Sequence, residues 1–571
     1  MNQIEEFRRQ PPEALEPRPI KIPREVETTL ANGLRIAIVE DRRLPLVSFR
    51  LVFPAGDAHD PDDLPGLLDM LTGLLTEGTE SHTSKEIAEE VARMGATLSS
   101  GANSDYTTVA ASALSSFSDK VLELLAEVAL KPSFPEHEVE LTRQNTKESL
   151  RQQRAQPSFL ANEMVSRVVF GEHPYSKIAP TPASLDAITR DDLVRLHGET
   201  FLPNHSVLII VGDVNADELV KRVERLFGGW KKGNPPGSDF PELPRRTSRS
   251  AYIIDRPGSA QSNLVIANAG ITRTSPDYFP MLLMHTVLGA TASSRLFMNL
   301  REEKGYTYGA YSSLDARRTA GTFRVSAEVR TPVTGESLKE FFYELDRIRN
   351  EPVTDKELAD AKSYLTGVFP IRLETQEGLI DQLVQIRMFN LPADYLETYR
   401  DRIQAVTTSQ ILEVAKKHVT PEQAAIIVVG DGGEALQQVG QFTSEIDFYN
   451  TAGKRKGKPG AETEGKMSAS DVAGKWILEI QTPFGQAIAA MLTLEATDSG
   501  VSGRVESEMG NAIVTAASLS GNTLKATLSF SVDGHDFNAE VSATVDSDNI
   551  EGTINLQDSP PLPFTGSKGK S

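Results

Sequence analysis

The sequence contains no cysteine, so neither disulfides nor thiol chemistry can hold this chain together or run a reaction in it. It also lacks an excess of positive charge. Fifty-nine Lys and Arg against 79 Asp and Glu leave a formal net charge of −20, which argues against a nucleic-acid partner, because phosphate backbones need a basic face. No apolar run approaches the roughly 18 residues of a membrane-spanning helix, and the first residues lack the basic-then-apolar build of a signal peptide. As it begins, the chain reads as cytoplasmic, or as periplasmic if a signal peptide has been removed, since a lack of cysteine suits either compartment. The nine histidines never fall as a pair three to five residues apart, so no helix offers two imidazoles on one face, the arrangement from which a helical zinc motif is built.

What is present is an ordinary soluble composition, 39% hydrophobic and 24% charged, over 571 residues, too long for one core and suited to three or more domains. Residues 1–28 are rich in Pro, Glu and Arg without apolar periodicity and read as an arm. A strand follows through an Asn32-Gly33 turn, and a second covers 46–53. Helices are expected at 83–94, 115–131, 135–155 and 189–201, with a strand near 104–112 and a buried one at 206–214. Within this block Leu67, Leu71, Leu74 and Leu75 recur at helical spacing between Gly66 and Gly78, which predicts an apolar helix stopped by Gly78.

A Pro/Gly-rich linker at 233–248 separates the 29–232 block from a second one at 249–447. The pattern then starts again: Ala187, Thr189 and Val211-Gly212-Asp213 return as Ala405, Thr407 and Val429-Gly430-Asp431, offset by 218 positions. So long a period means two homologous α/β units rather than a solenoid. Beyond a Lys/Gly-rich link at 448–470 the alternation changes to period two. Leu524, Ala526, Leu528, Phe530 and Val532 form one such series, and Phe537, Ala539, Val541, Ala543 and Val545 another after a turn at Asp533-Gly534. With Trp476, Leu478 and Ile480 they predict seven or eight antiparallel strands over 471–568, a small barrel or sandwich acting as a docking or spacer module. The expected fold is thus α+β, two similar domains in tandem followed by an all-β domain.

The frame Gly66 to Gly78-Thr79 resembles the signature helix of the M16 family (pitrilysin, insulin-degrading enzyme, mitochondrial processing peptidase), which carries the inverted zinc motif H-x-x-E-H. Laid on that pattern, Asp69 and Gly73 stand where the zinc histidines belong, Thr72 where the general-base glutamate belongs, and Ser149 where the third ligand, a glutamate, belongs, with Glu148 one residue off. Asp, Thr, Gly and Ser cannot assemble the open three-ligand zinc site of the family. A second match runs from Ser293-Ser294-Arg295 to Tyr308 and resembles the pattern S-R-L-x-x-x-L-R-E-x-x-G-x-x-Y. Its Arg and Tyr, here Arg301 and Tyr308, bind the substrate carbonyl as oxyanion donors in the family. The segment Leu98, Ser99, Ser100 and Gly101 resembles the family's edge strand, to which a peptide substrate adds, although the Asn-Ala pair of catalytic relatives is missing there.

The resemblance therefore implies a non-catalytic, Arg/Tyr-bearing subunit of a heterodimeric M16B-type metallopeptidase. Such a chain binds no metal or other cofactor itself, zinc being expected in a partner subunit with H-x-x-E-H, and the two enclose an acidic chamber for peptides or unfolded polypeptides. It has no activity on its own. The alternative is a structural or peptide-binding scaffold, like the core subunits of respiratory complexes that share this fold.

Overall fold

The computed structural model describes residues 22–569 apart from 236, 238, 458–467, 482–486, 498–499, 508–509, 521, 533–534, 547 and 557–560. Most of the expected N-terminal arm and the Asp533-Gly534 turn lie outside these residues. The chain divides into two compact units, Met1–Lys456 and Gly457–Ser571.

The first unit contains two sheets built on one plan. The first is ordered β1-β2-β6-β3-β5-β4, from Glu25–Thr29, Arg35–Glu40, Val207–Gly212, Leu46–Phe53, Thr107–Leu114 and Thr97–Ala102. The second is ordered β13-β12-β7-β11-β8-β10-β9, from Arg455–Lys456, Ile446–Tyr449, Ser250–Asp255, Ala425–Gly430, Gln261–Ala269, Gly321–Arg330 and Thr307–Ala316. The repeat seen in the sequence is a repeat of structure. β6 and β11 occupy the same central place, each parallel to one neighbour and antiparallel to the other. The helices before them, Arg190–Thr200 and Thr408–His418, both begin in capping boxes, Thr189 with Asp192 and Thr407 with Gln410. β4 and β9 are the corresponding edge strands, each paired on one side only.

Every residue of β6 and β11 is buried, which is why both read as unbroken apolar runs and not as alternating strands. One face of each sheet is covered by its own helices. The other face is covered by exchange: Gln376–Met388 lays Leu379, Leu383 and Met388 on Val39, Val52 and Ile209 of the first sheet, while Pro157–Phe170 lays Leu160, Met164 and Val165 on Val265, Ile427 and Val429 of the second. The hairpin tips of the two halves are also bonded: Arg318 donates its backbone N–H to Asp105 (3.1 Å) and its side chain to the carbonyls of Asp105 and Pro54.

Two details differ from expectation. β1 begins inside the stretch read as an arm, because Gly33 at φ +87° lets residues 30–34 reverse the chain into an antiparallel hairpin. The apolar helix spans Leu67–Leu74 and stops short of Gly78, its last turn tightened by a bond from the Leu75 N–H to the Thr72 carbonyl. Gly78 instead bridges to Thr83 in the connection that follows.

The second unit is a closed antiparallel meander, β14 to β21: Gly474–Gln481, Ala487–Thr497, Gly500–Ser507, Gly510–Ser520, Thr523–Val532, His535–Asp546, Asn549–Leu556 and Leu562–Lys568. Pairing of β21 with β14 closes the barrel and removes free edges. The period-two residues Trp476, Leu478, Leu524, Leu528, Ala543, Val545 and Phe564 fill its interior, and the indole N–H of Trp476 is satisfied by the carbonyl of Val472 at 2.9 Å. No helix among the described residues is long and apolar enough to cross a membrane.

Candidate functional site

The Leu67–Leu74 helix starts at Gly66, whose φ of +92° fits glycine and where a Cβ would collide with the Pro180 ring. Its first N–H groups are capped from a distance by Asp60, which accepts from Gly66 (2.8 Å) and Leu68 (2.9 Å). Burial pushes the Asp60 carboxyl up to about 7 against the pull of those two N–H groups, and burial together with the Asp69 charge pushes Asp57 up to about 6. Every residue of the helix is buried except Asp69 and Gly73. These two, at i and i+4, form the single open stripe on which two histidines of an H-x-x-E-H motif would stand.

The stripe does not suit zinc. Although Asp69 reaches solvent, the protein around it displaces enough water to raise its carboxyl above the ordinary value. Thr72 turns its hydroxyl back onto the carbonyl of Asp69 at 3.0 Å, and Gly73 offers no side chain, though a Cβ there would meet nothing within 4 Å. The helix carrying the fourth position, Glu136–Arg154, packs against this one. Its Ser149 is exposed and accepts from Gln153, and Glu148 is exposed and paired with Arg151. One carboxylate, one engaged hydroxyl and a glycine do not match the donor set of a catalytic zinc. Among the described residues no group of three His, Asp or Glu could hold a metal ion.

The edge strand β4 lies beside this helix. Leu98 packs against the first core, Ser99 is exposed, and Gly101 has open space where a Cβ would be. Ser100 donates its hydroxyl to the Thr72 carbonyl at 2.6 Å, tying the strand to the helix.

In the second half, Arg301 lies in the helical segment Met298–Glu303, anchored by the fully buried Leu300. Gly305, at φ +65°, ends the helix: its N–H returns to the Arg301 carbonyl (3.2 Å) and that of Tyr306 to Leu300 (3.0 Å). The reversal starts β9 and swings Tyr308 back over Arg301, whose guanidinium carbon lies 5.0 Å from the Tyr308 ring centre and 4.9 Å from that of Phe297. The seven-residue spacing thus becomes a side-by-side pair. Tyr308 is 87% exposed and lines a cavity of about 510 Å³ with Tyr306, Tyr311 and Arg330.

Sequence reasoning missed several polar groups set among these elements. Arg295 of the same motif is buried and bound to Glu357; Asp57, Asp105 and Arg273 line one cleft from separate segments with no local pattern to mark them, and Asp60 caps the Leu67–Leu74 helix. Only Asp60, an acid ahead of a helix start, carried a usable signal.

A duplicated α/β core with an edge strand in each half, a signature helix without zinc donors and a half-buried Arg301 beside an exposed Tyr308 defines a peptidase-like protein without peptidase ligands. Two family models match the chain, the insulinase family (peptidase family M16) over residues 35–182 and the peptidase M16 inactive domain over residues 187–365. They cover more than half of it, and the chain belongs to the M16 family. It is 21% identical to the uncharacterized zinc protease YmxG of Bacillus subtilis, over 71% of this chain and 98% of that protein. It is 22% identical to the non-peptidase homolog YmxG of Helicobacter pylori, over 70% and 93%. The crystal structure of a peptidase M16 inactive domain from Pseudomonas fluorescens is 27% identical and superimposes with a TM-score of 0.67, covering 71% of this chain and 98% of that one.

Proposed function

We propose that this chain is the non-catalytic, Arg/Tyr-bearing subunit of a heterodimeric M16 zinc metallopeptidase. The observation that carries the reading is the asymmetry between the halves. The first presents Asp69 and Gly73 where ligands are needed, while the second keeps Arg301 and the exposed Tyr308 side by side. A partner subunit with H-x-x-E-H supplies the zinc. In trans, the Arg301 guanidinium and the Tyr308 phenol donate N–H and O–H bonds to the carbonyl oxygen of a bound peptide, which gains negative charge during cleavage. The net charge of −20 gives a shared chamber an acidic wall that favours peptides bearing basic residues.

Co-expression with an H-x-x-E-H partner tests this. Arg301→Ala and Tyr308→Phe are expected to leave the heterodimer intact and to lower kcat by about 10²–10³, the usual cost of one oxyanion donor. Arg301→Lys is expected to restore it only in part, because the planar fork is lost. Parent-rate cleavage by both variants overturns the proposal. A peptide-binding scaffold is the second reading, favoured by Ser100 and Thr72 spending their hydroxyls inside the first half and by the name of the Helicobacter relative. It predicts the same complex with no dependence on Arg301.

A further inference from the structure

Where the hairpin tips of the two halves meet, they wall a cleft of about 550 Å³. Tyr106 comes from the β4–β5 tip, Asp315 and Arg317 from the β9–β10 tip, Tyr278 from the start of one helix and Phe389 from the end of another. Arg273 lines the same cleft and is only 9% exposed. A guanidinium this buried ordinarily meets a carboxylate, but among the described residues Arg273 has none. Nη2 donates to the Tyr395 hydroxyl at 2.7 Å, the rings of Tyr278 and Tyr395 lie 4.0 and 5.2 Å from its carbon, and its other side-chain N–H groups have no acceptor among the described residues. Two of the three carboxylates on the walls are already engaged: Arg317 holds Asp315 (2.8 Å) and Asp105 accepts from Tyr175 and Arg318.

We propose that this cleft binds the free carboxylate end of a peptide, Arg273 taking the carboxylate while Tyr106, Tyr278 and Phe389 receive an apolar or aromatic terminal side chain. One unpaired guanidinium among carboxylates suits a monoanion, whereas Asp57, Asp105 and Asp315 on the same walls disfavour a dianion such as phosphate. The planar fork matches a carboxylate in two parallel bonds, and the rings supply apolar contact area at small entropic cost. The choice of a peptide as ligand rests on the peptide-handling reading above; the site itself rests on Arg273 and its surroundings.

The test uses the full chain without a partner, so its failure is separate from failure of the heterodimer. Fluorescence anisotropy compares a labelled hexapeptide ending in a free-acid phenylalanine with its C-terminal amide. The acid is expected to bind about tenfold or more tightly, the worth of a charge-assisted fork. Arg273→Gln is expected to lower acid binding to the amide level and to leave amide binding unchanged, with millimolar phosphate failing to compete. Equal affinity of acid and amide for the parent, survival of the preference in Arg273→Gln, or efficient competition by phosphate each overturns the proposal. If Arg273→Gln fails to fold, Arg273→Lys decides: it keeps the charge without the fork, and an undiminished preference in it counts against the site.

Discussion

Arg295 holds Glu357 in a fork, Nε to one carboxylate oxygen at 2.7 Å and Nη2 to the other at 3.0 Å. Glu357 is also the capping-box acid of the Asp355–Leu373 helix, accepting the Thr354 N–H at 2.8 Å. The arginine of the S-R-L motif thus positions the segment that carries Arg301, by pinning it to a helix start some 60 residues further on.

Burial alone would raise the Glu357 carboxyl, but the Arg295 fork and the Thr354 N–H outweigh it and hold it at about 2, below the ordinary 4.5. A carboxylate whose folded value is depressed contributes stability above its unfolded value, and that stability is lost as pH falls from about 4.5 towards 2. The linkage is worth at most about 3 kcal/mol. Urea titrations of parent and Glu357→Gln at pH 7 and pH 3 should show a gap at pH 7 that narrows at pH 3. A gap independent of pH contradicts the assignment.

Leu160 sits on a helix of the first half but packs against the second sheet. Leu160→Ala is expected to cost about 2–5 kcal/mol. Hydrogen exchange should accelerate in β8 and β11 more than in β3 and β6. The opposite order refutes the helix exchange as the coupling between halves.

Gly73 is a mid-helix glycine in open space. Gly73→Ala should therefore stabilise the first unit by about 1 kcal/mol, the helix-propensity difference, read as a raised Tm. Elemental analysis of the parent chain is expected to find no stoichiometric zinc at this helix, and one zinc per chain that disappears in Asp69→Ala refutes that.

Asp60 is held at about 7 in the fold, well above the ordinary 3.8. The folded state therefore binds its proton more tightly than the unfolded one, and the associated stability, full below about 4, is lost as pH rises towards 7. Between pH 5 and pH 8 the parent should lose Tm relative to Asp60→Asn, whose side chain does not titrate. Parallel Tm curves across that range exclude Asp60 as the group responsible.

By itself, the sequence determined the duplication, the family and the loss of the zinc ligands, because each is written in local spacing: a 218-residue offset, three positions on one helix, a glycine three before a tyrosine. It also determined the all-β character of residues 471–568, because alternation of inward and outward side chains needs no partner to be visible. Only the tertiary structure decided that the β domain is a closed barrel, that each half borrows a helix from the other, and that Arg295 meets Glu357 while Arg273 meets no acid among the described residues. Those outcomes depend on strand closure and on contacts between residues tens to hundreds of positions apart. The packing of an apolar helix face or the pairing of a buried charge is set by what folds against it, and neighbouring residues carry no trace of that.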